Sequence, residues 1–244
     1  MKSLIAIVNS RSRQTTWANA IRETWMSQVP PDKADLKFFV GRGDGTMPND
    51  TVVLDCDDGY HALPSKVQRI AEYAYNQGCY DYVMKLDDDT VVKPNIMLSS
   101  GYDKHPYSGR ANRRPTTKDP FWVPMGFAYW FCRDGMKYIT EATLPDANSN
   151  DDEYWVAKNL YQHGFHLHDE QRYHLYMGGL TDQKATQNRP LRMSRVEQQN
   201  RAVHNGFAWC VFIESGQQQP SRVPTEEKIK EFHRLFREYG EPRK

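Results

Sequence analysis

The chain has 244 residues, of which 39% are hydrophobic and 26% charged. That balance excludes a disordered or collagen-like polymer and supplies enough apolar material for a core without disulfide or metal staples. Lysine plus arginine (32) nearly offsets aspartate plus glutamate (31), so polyanion binding by the surface as a whole is excluded and only a local basic patch is compatible with it. Residues 3–8 form an apolar, branched run that predicts a buried strand, with a polar turn at 9–13. Trp17, Ala20, Ile21, Thr24 and Trp25 recur at helical spacing, and Pro30-Pro31 ends that helix. Strands follow at 36–40 and 51–54, separated by the glycine-rich stretch 41–45. A helix carrying Val67, Ile70, Ala71 and Ala74 opens at Pro64-Ser65 and closes near Gly78. A fourth strand, 81–86, runs directly into Asp87-Asp88-Asp89.

This alternation predicts an α/β fold, a Rossmann-like, mostly parallel sheet with helices on both faces. Polar clusters at 9–13, 41–44 and 87–89 then lie at the carboxyl ends of strands, where such sheets bind ligands. The second half is less regular. A basic loop is expected at 105–118, with Arg110, Arg113, Arg114 and Lys118, then an aromatic strand segment at 121–132 and a helix at 151–163. Beyond these lie a polar, mobile loop at 178–200, a strand pair at 202–213 around Asn205-Gly206, and a terminal helix at 225–239 capped by Thr225. With no repeat and no linker, one compact domain spanning 1–244 is expected, in two halves, 1–92 with the aspartate run and 93–244 with the terminal helix. No apolar stretch approaches the roughly 18 residues of a membrane span. Cys56, Cys79, Cys132 and Cys210 show no C-x-x-C spacing, which disfavours zinc. Since residues 4–8 are too short for a signal-peptide core, a soluble cytoplasmic protein is expected if Met1 is the true start.

Three consecutive aspartates after a buried strand repel one another and raise each other's pKa unless a counter-ion intervenes. Hard oxygen donors suit magnesium or manganese, and a solvated turn is the alternative. Asp151-Asp152-Glu153 opens a helix, where carboxylates either cap the dipole or serve as a general base.

Ala20-Ile21-Arg22-Glu23-Thr24-Trp25, Phe38-Phe39-Val40-Gly41, Asp57-Asp58-Gly59-Tyr60 with Lys66, and Lys85-Leu86-Asp87-Asp88-Asp89 occur in an order that resembles the beta-1,3-galactosyltransferase and Fringe family, glycosyltransferase family 31. Pro124-Met125-Gly126-Phe127-Ala128-Tyr129 resembles its acceptor-side stretch, and Asp151-Asp152-Glu153 falls at its E-D-V base motif. The resemblance implies a GT-A fold, a UDP-sugar donor, manganese or magnesium, and inversion. It implies Asp89 as direct metal ligand with Asp87 and a late histidine, His204, with His166, His168 and His174 as rivals. Asp152 becomes the base with Asp151 beside it. Asn9, Arg11, Arg13, Arg22, Asp58, Lys66, Lys85, Asp87 and Asp88 fall on the donor side. Arg22 as a helix-surface ion pair and Lys66 as a first-turn solvent residue are the plainer readings.

Departures from the family are the lost glycine after the base motif and an Asp58–Lys66 element that keeps only part of the family's pattern. The family is mostly Golgi-anchored, so this chain reads as a soluble relative in a bacterial or virus-infected cytoplasm. Trp122, Tyr129, Trp130 and Trp155 are candidates for stacking on the acceptor. The acceptor is a saccharide or glycolipid or, given the basic loop, a hydroxymethylated base in DNA, flipped from the duplex. A non-catalytic nucleotide- or carbohydrate-binding module and a metal-dependent phosphoesterase are the competing readings.

Overall fold

A computed structural model describes residues 1–146, 151–175 and 208–210, with Glu227 and Lys230. The strands are β1 (Ser3–Val8), β2 (Ala34–Val40), β3 (Thr51–Val53), β4 (Tyr82–Asp87), β5 (Thr90–Val92), β6 (Tyr107–Arg113), β7 (Val123–Cys132), β8 (His168–Asp169), β9 (Tyr173–Leu175) and β10 (Ala208–Cys210). The α-helices are α1 (Trp17–Glu23), α2 (Leu63–Gln77), α3 (Pro94–Leu98), α4 (Arg133–Glu141) and α5 (Asp152–Gln162).

Seven strands form one sheet in the order β3-β2-β1-β4-β7-β6-β8. β1 pairs in parallel with both β2 and β4, and β2 with β3, whereas β7 runs antiparallel to β4 and β6. The sheet is therefore mixed, parallel in the first half of the chain as expected and antiparallel where β7 enters. β1 is buried along its whole length. Ile5 and Ile7 pack on the side covered by α1 and α3, and Leu4, Ala6 and Val8 on the side covered by α2, α4 and α5. Two covered faces explain why its sequence is continuously apolar. Each of the leucine, isoleucine and valine side chains contributes about 1.5–3 kcal/mol by leaving water. This architecture is an α/β domain consistent with a GT-A fold.

α2 begins with Pro64 in its first turn and ends at Gly78, whose φ of 73° is a left-handed C-cap. Its inner face buries Val67, Ile70, Ala71 and Ala74.

The basic loop expected at 105–118 is instead largely strand β6. β7 is a long apolar strand paired with β4 on one side, and its other side needs a partner for its backbone groups. Residues 107–113 supply it, with register shifts around Ala111 that accommodate the polar sequence. Trp209, at the centre of β10, pairs with Val91 of β5 and His174 of β9, forming a separate three-stranded sheet. The expected hairpin around Asn205-Gly206 and the loop 178–200 lie outside the described residues. Of the terminal helix, Glu227 and Lys230 are helical, and Lys230 Nζ reaches Glu23 at 2.7 Å. Cys56, Cys79 and Cys132 are free thiols. Among the described residues no helix is long and apolar enough to cross a membrane.

Candidate functional site

The carboxyl ends of β1, β2 and β4 converge as the alternation predicted. At the end of β1, Asp58 accepts the backbone N–H groups of Arg11 and Gly41, each at 2.7 Å, and an Nζ–H of Lys66 at 2.9 Å. Burial pushes Asp58 up, but these donors more than offset it and hold its carboxyl below the usual carboxylate value. Lys66 is buried and also donates to the Asn9 and Asp58 carbonyls, so it pins three segments together and is not a solvent residue. The approach is close enough to require glycine at 41. A Cβ there would stand 2.5 Å from the backbone of Asp57 and Asp58. The Arg11 side chain donates to the carbonyls of Gly41, Asp44 and Gly45, fixing the glycine-rich turn.

Arg22, assigned to the donor by its position in the sequence, is committed elsewhere. Its guanidinium grips Asp50 through two hydrogen bonds of 2.7 and 2.8 Å and also reaches Gln14, bracing α1 against the start of β3. Arg11, Asp58 and Lys66 thus shape the crevice, whereas Asn9 is different. Its side chain is buried beside the Lys66 contact, and both polar atoms lack a hydrogen-bond partner.

The acidic turn after β4 is only partly self-compensated. Arg13 donates to Asp88 at 3.1 Å and lies 3.8 Å over the Trp17 ring. Burial nevertheless pushes Asp88 up to about 7 against the pull of Arg13. Asp89 is buried in the same turn. Lys85 is wholly buried and donates to Asp87 Oδ1 at 2.6 Å and to the Gly126 carbonyl at 2.5 Å, with Asp152 Oδ2 at 3.3 Å. Burial opposes its charge, but Asp152 and Asp87 more than offset that and keep it an ammonium ion. Lys85, expected as a cofactor contact, is therefore an internal tie between the aspartate turn and the start of α5.

The three acids at the start of α5 divide. Asp151 is the N-cap, accepting the Tyr154 N–H at 3.0 Å, and it pairs with Arg113. Asp152 is buried and accepts the Tyr129 hydroxyl proton at 2.9 Å. Glu153 keeps 22% of its side chain exposed and lies where a Cβ on Gly126 would approach its carboxylate at 3.0 Å. Burial first, and then the charge of Asp152, push Glu153 up to about 7. Neither Glu153 nor the Tyr129 hydroxyl was singled out for chemistry from the sequence. The available signal was the third carboxylate of the run.

Among the described residues no three His, Cys, Asp or Glu side chains gather as a ready metal cluster. His204 lies outside the described residues, and His174 is described only through the backbone pairing of β9 with β10. His168 stacks on His105 at the far edge of the sheet, and His166 lies edge-on to Tyr161, so neither joins the aspartate turn. Tyr129, Trp130 and Trp155 are core residues at 0%, 0% and 5% exposure, which removes them as stacking platforms; Trp122 remains exposed. Of the four basic residues between 110 and 118, Arg113 alone touches the acids at the start of α5, through Asp151 and Glu153, while Arg110 donates to Gln171.

A family model described as galactosyltransferase matches residues 17–112, from α1 through the aspartate turn to β6. The chain is galactosyltransferase-like. Hydroxyproline O-galactosyltransferase GALT6 of Arabidopsis thaliana is 23% identical over 169 residues, covering 59% of this chain and 23% of that protein. This galactosyltransferase-like chain thus spans about a quarter of the length of the curated relative it matches. The matched region takes in Gly41, Asp58, Lys66 and the aspartate turn, but it begins after Asn9, Arg11 and Arg13 and ends before the acids at 151–153.

Proposed function

We propose that the chain is a glycosyltransferase that moves a hexose from a UDP-sugar to an acceptor hydroxyl with inversion. The observation that carries this reading is the charge arrangement around Lys85. Three carboxylates, Asp87, Asp152 and Glu153, act on one buried ammonium at the carboxyl ends of the strands. The carboxylates outnumber the ammonium, and Asp88 and Asp89 lie buried in the same turn, an excess of negative charge that a bound cation would offset. Oxygen donors from Asp87 and Asp89 fit magnesium or manganese, with His204 the expected further ligand. Such a cation, when bound, would neutralise charge developing on the departing diphosphate. The unpaired amide of Asn9 supports a polar nucleotide partner at the end of β1. Arg13, about half exposed above Trp17, is the arginine on this rim suited to meet a phosphate.

The proton of the acceptor hydroxyl goes to Glu153 in this reading. Asp152, proposed as base from the sequence, has the same oxygen engaged by the Tyr129 hydroxyl and facing Lys85, and is shut from solvent. Glu153 is reachable, and its pKa of about 7 suits a general base. Asp152 holds Lys85 and, by its charge, keeps the proton affinity of Glu153 high. The acceptor is a saccharide or glycolipid. A base in DNA is the second reading, and Arg113 beside Glu153 is what favours it.

The test is thermal stability with UDP, with manganese, and with both, followed by turnover of a UDP-sugar panel. UDP and manganese together are expected to raise the Tm where ADP and GDP do not. Glu153→Gln is expected to lower turnover about 10²–10⁴-fold while that shift persists. Full turnover in Glu153→Gln would remove it from the base role. No shift with any nucleotide would sink the transferase reading and bring forward the non-catalytic module.

A further inference from the structure

Among the described residues Tyr60, at 72% exposure, is the most exposed of the large hydrophobic side chains. The backbone that carries it is nevertheless pinned on both sides. Asp57 accepts the Gly59 N–H at 3.0 Å and is hydrogen-bonded to His61 Nε2 at 2.9 Å, so one carboxylate ties the residues flanking Tyr60. The Ala62 N–H closes the turn on the Gly59 carbonyl at 3.1 Å, and the Leu63 N–H reaches the Tyr60 carbonyl at the start of α2. Upstream, Asp58 holds the turn to the ends of β1 and β2 through Arg11 and Gly41. Val8, the last residue of β1, stands beside Asp87 in the register of β1 and β4. Tyr60 therefore lies at the same edge of the sheet as the aspartate turn. Its ring is open to solvent, yet the charges of the acidic centre reach its hydroxyl. Enough of the chain surrounds the hydroxyl for burial to push its pKa up first, and Asp87, Glu153 and Asp152 push it further. The phenol is thus neutral and keeps a proton to donate.

We propose that Tyr60 touches the transferred hexose, its hydroxyl bonded to a sugar hydroxyl and its ring laid against a C–H face of the pyranose. This rests on the transferase reading and adds to it the residue that tells a UDP-hexose from UDP. In that reaction the anomeric carbon lies between the departing diphosphate, on the Asp87 side, and the acceptor oxygen, whose proton goes to Glu153. A group that overlooks both carboxylates overlooks the sugar between them. A pyranose offers apolar C–H faces edged by hydroxyls, and tyrosine answers both with an apolar ring and a polar tip. A rigid turn presents that ring at little cost in ordering on binding. A tyrosine that merely meets solvent is the alternative, since scattered exposed aromatics are ordinary on protein surfaces.

The experiment is titration calorimetry of the whole chain with manganese, comparing UDP with UDP-galactose, UDP-glucose and UDP-N-acetylglucosamine. For the sugar nucleotide that wild type binds best, Tyr60→Phe is expected to weaken binding roughly three- to tenfold, the loss of about one neutral hydrogen bond. Tyr60→Ala, which also removes the ring, should weaken it further, while UDP binds wild type and both variants alike. The Tm without nucleotide should not move, because the side chain is exposed. Unchanged affinity for the sugar nucleotide in both variants, or an equal loss for UDP, would overturn the role of Tyr60. Absence of UDP binding by wild type would instead sink the transferase reading, and this inference with it.

Discussion

Lys85 Nζ lies 3.3 Å from Asp152 Oδ2, and both side chains are almost wholly removed from solvent, at 1% and 3% exposure. One contact therefore joins the strand that ends in the aspartate turn to the helix that carries the acids. Charges so placed are costly to desolvate and costlier still to leave unpaired.

Replacing Lys85 by methionine keeps much of the volume and removes the ammonium. Asp152 would then be left in the interior, and the partly exposed Asp87 beside it, with no cation between them. Lys85→Met is expected to lose about 3–5 kcal/mol in urea unfolding at neutral pH. The loss should shrink in acid, as protonation of the carboxylates removes their repulsion. Wild-type stability in Lys85→Met would show that the buried contact is not what ties the two halves of the site.

Glu153 links function to stability. In the folded chain it titrates at about 7, above the unfolded value of 4.5. Between these values the native state binds more protons than the unfolded one, so the contribution of this group is full below 4.5 and is lost as pH rises through 7. Glu153→Gln is insensitive to that loss. Its Tm relative to wild type should therefore rise from pH 5 to pH 8, the reverse of its effect on turnover. A constant difference across that range would place the Glu153 pKa near its ordinary value.

Removal of the Asp152 charge should act on the same titration. Asp152 raises Glu153 and Lys85 lowers it. In Asp152→Asn the raising charge is gone while the lowering charge of Lys85 remains, so the Glu153 pKa should fall, readable in the ¹³C carboxyl titration of metal-free protein. An unmoved midpoint would contradict the coupling.

The Arg22–Asp50 brace predicts an acid-sensitive pin far from the chemistry. Burial raises Asp50, but hydrogen bonds and charge from Arg22 outweigh it and hold the carboxyl below 3.8. A depressed carboxylate contributes stability that is present above the unfolded pKa and lost as pH falls through the folded one. Arg22→Gln is expected to cost about 1.5–3 kcal/mol at pH 7, a hydrogen bond to a charged group. The gap to wild type should close below about pH 3.8. A gap that persists in acid would assign the loss to the packing of Arg22 on Phe38 instead.

Much of the framework was legible along the chain. The apolar run of β1, the helix between Pro64 and Gly78, and the strand ending at Asp87 follow from period, turn chemistry and capping, which act over a few neighbouring residues. Strand β6 was not legible, because Ser108, Gly109, Arg110 and Asn112 carry loop composition, and their pairing is imposed by β7 across the sheet.

The acids show the same division. Their position at the end of β4 and the start of α5 is a property of the sequence. Which of Asp151, Asp152 and Glu153 caps, which is buried and which stays reachable is set by how α5 docks on β7, with Tyr129, Lys85 and Gly126 as the surfaces it meets. Lys66 likewise reads as a solvent residue in a first helical turn, and only the closure of Gly41 onto Asp58 encloses it. Local preferences decide which segments become strands and helices. Burial, and with it the charge state of each carboxylate, depends on contacts between segments distant in sequence, and those exist only once the chain has folded.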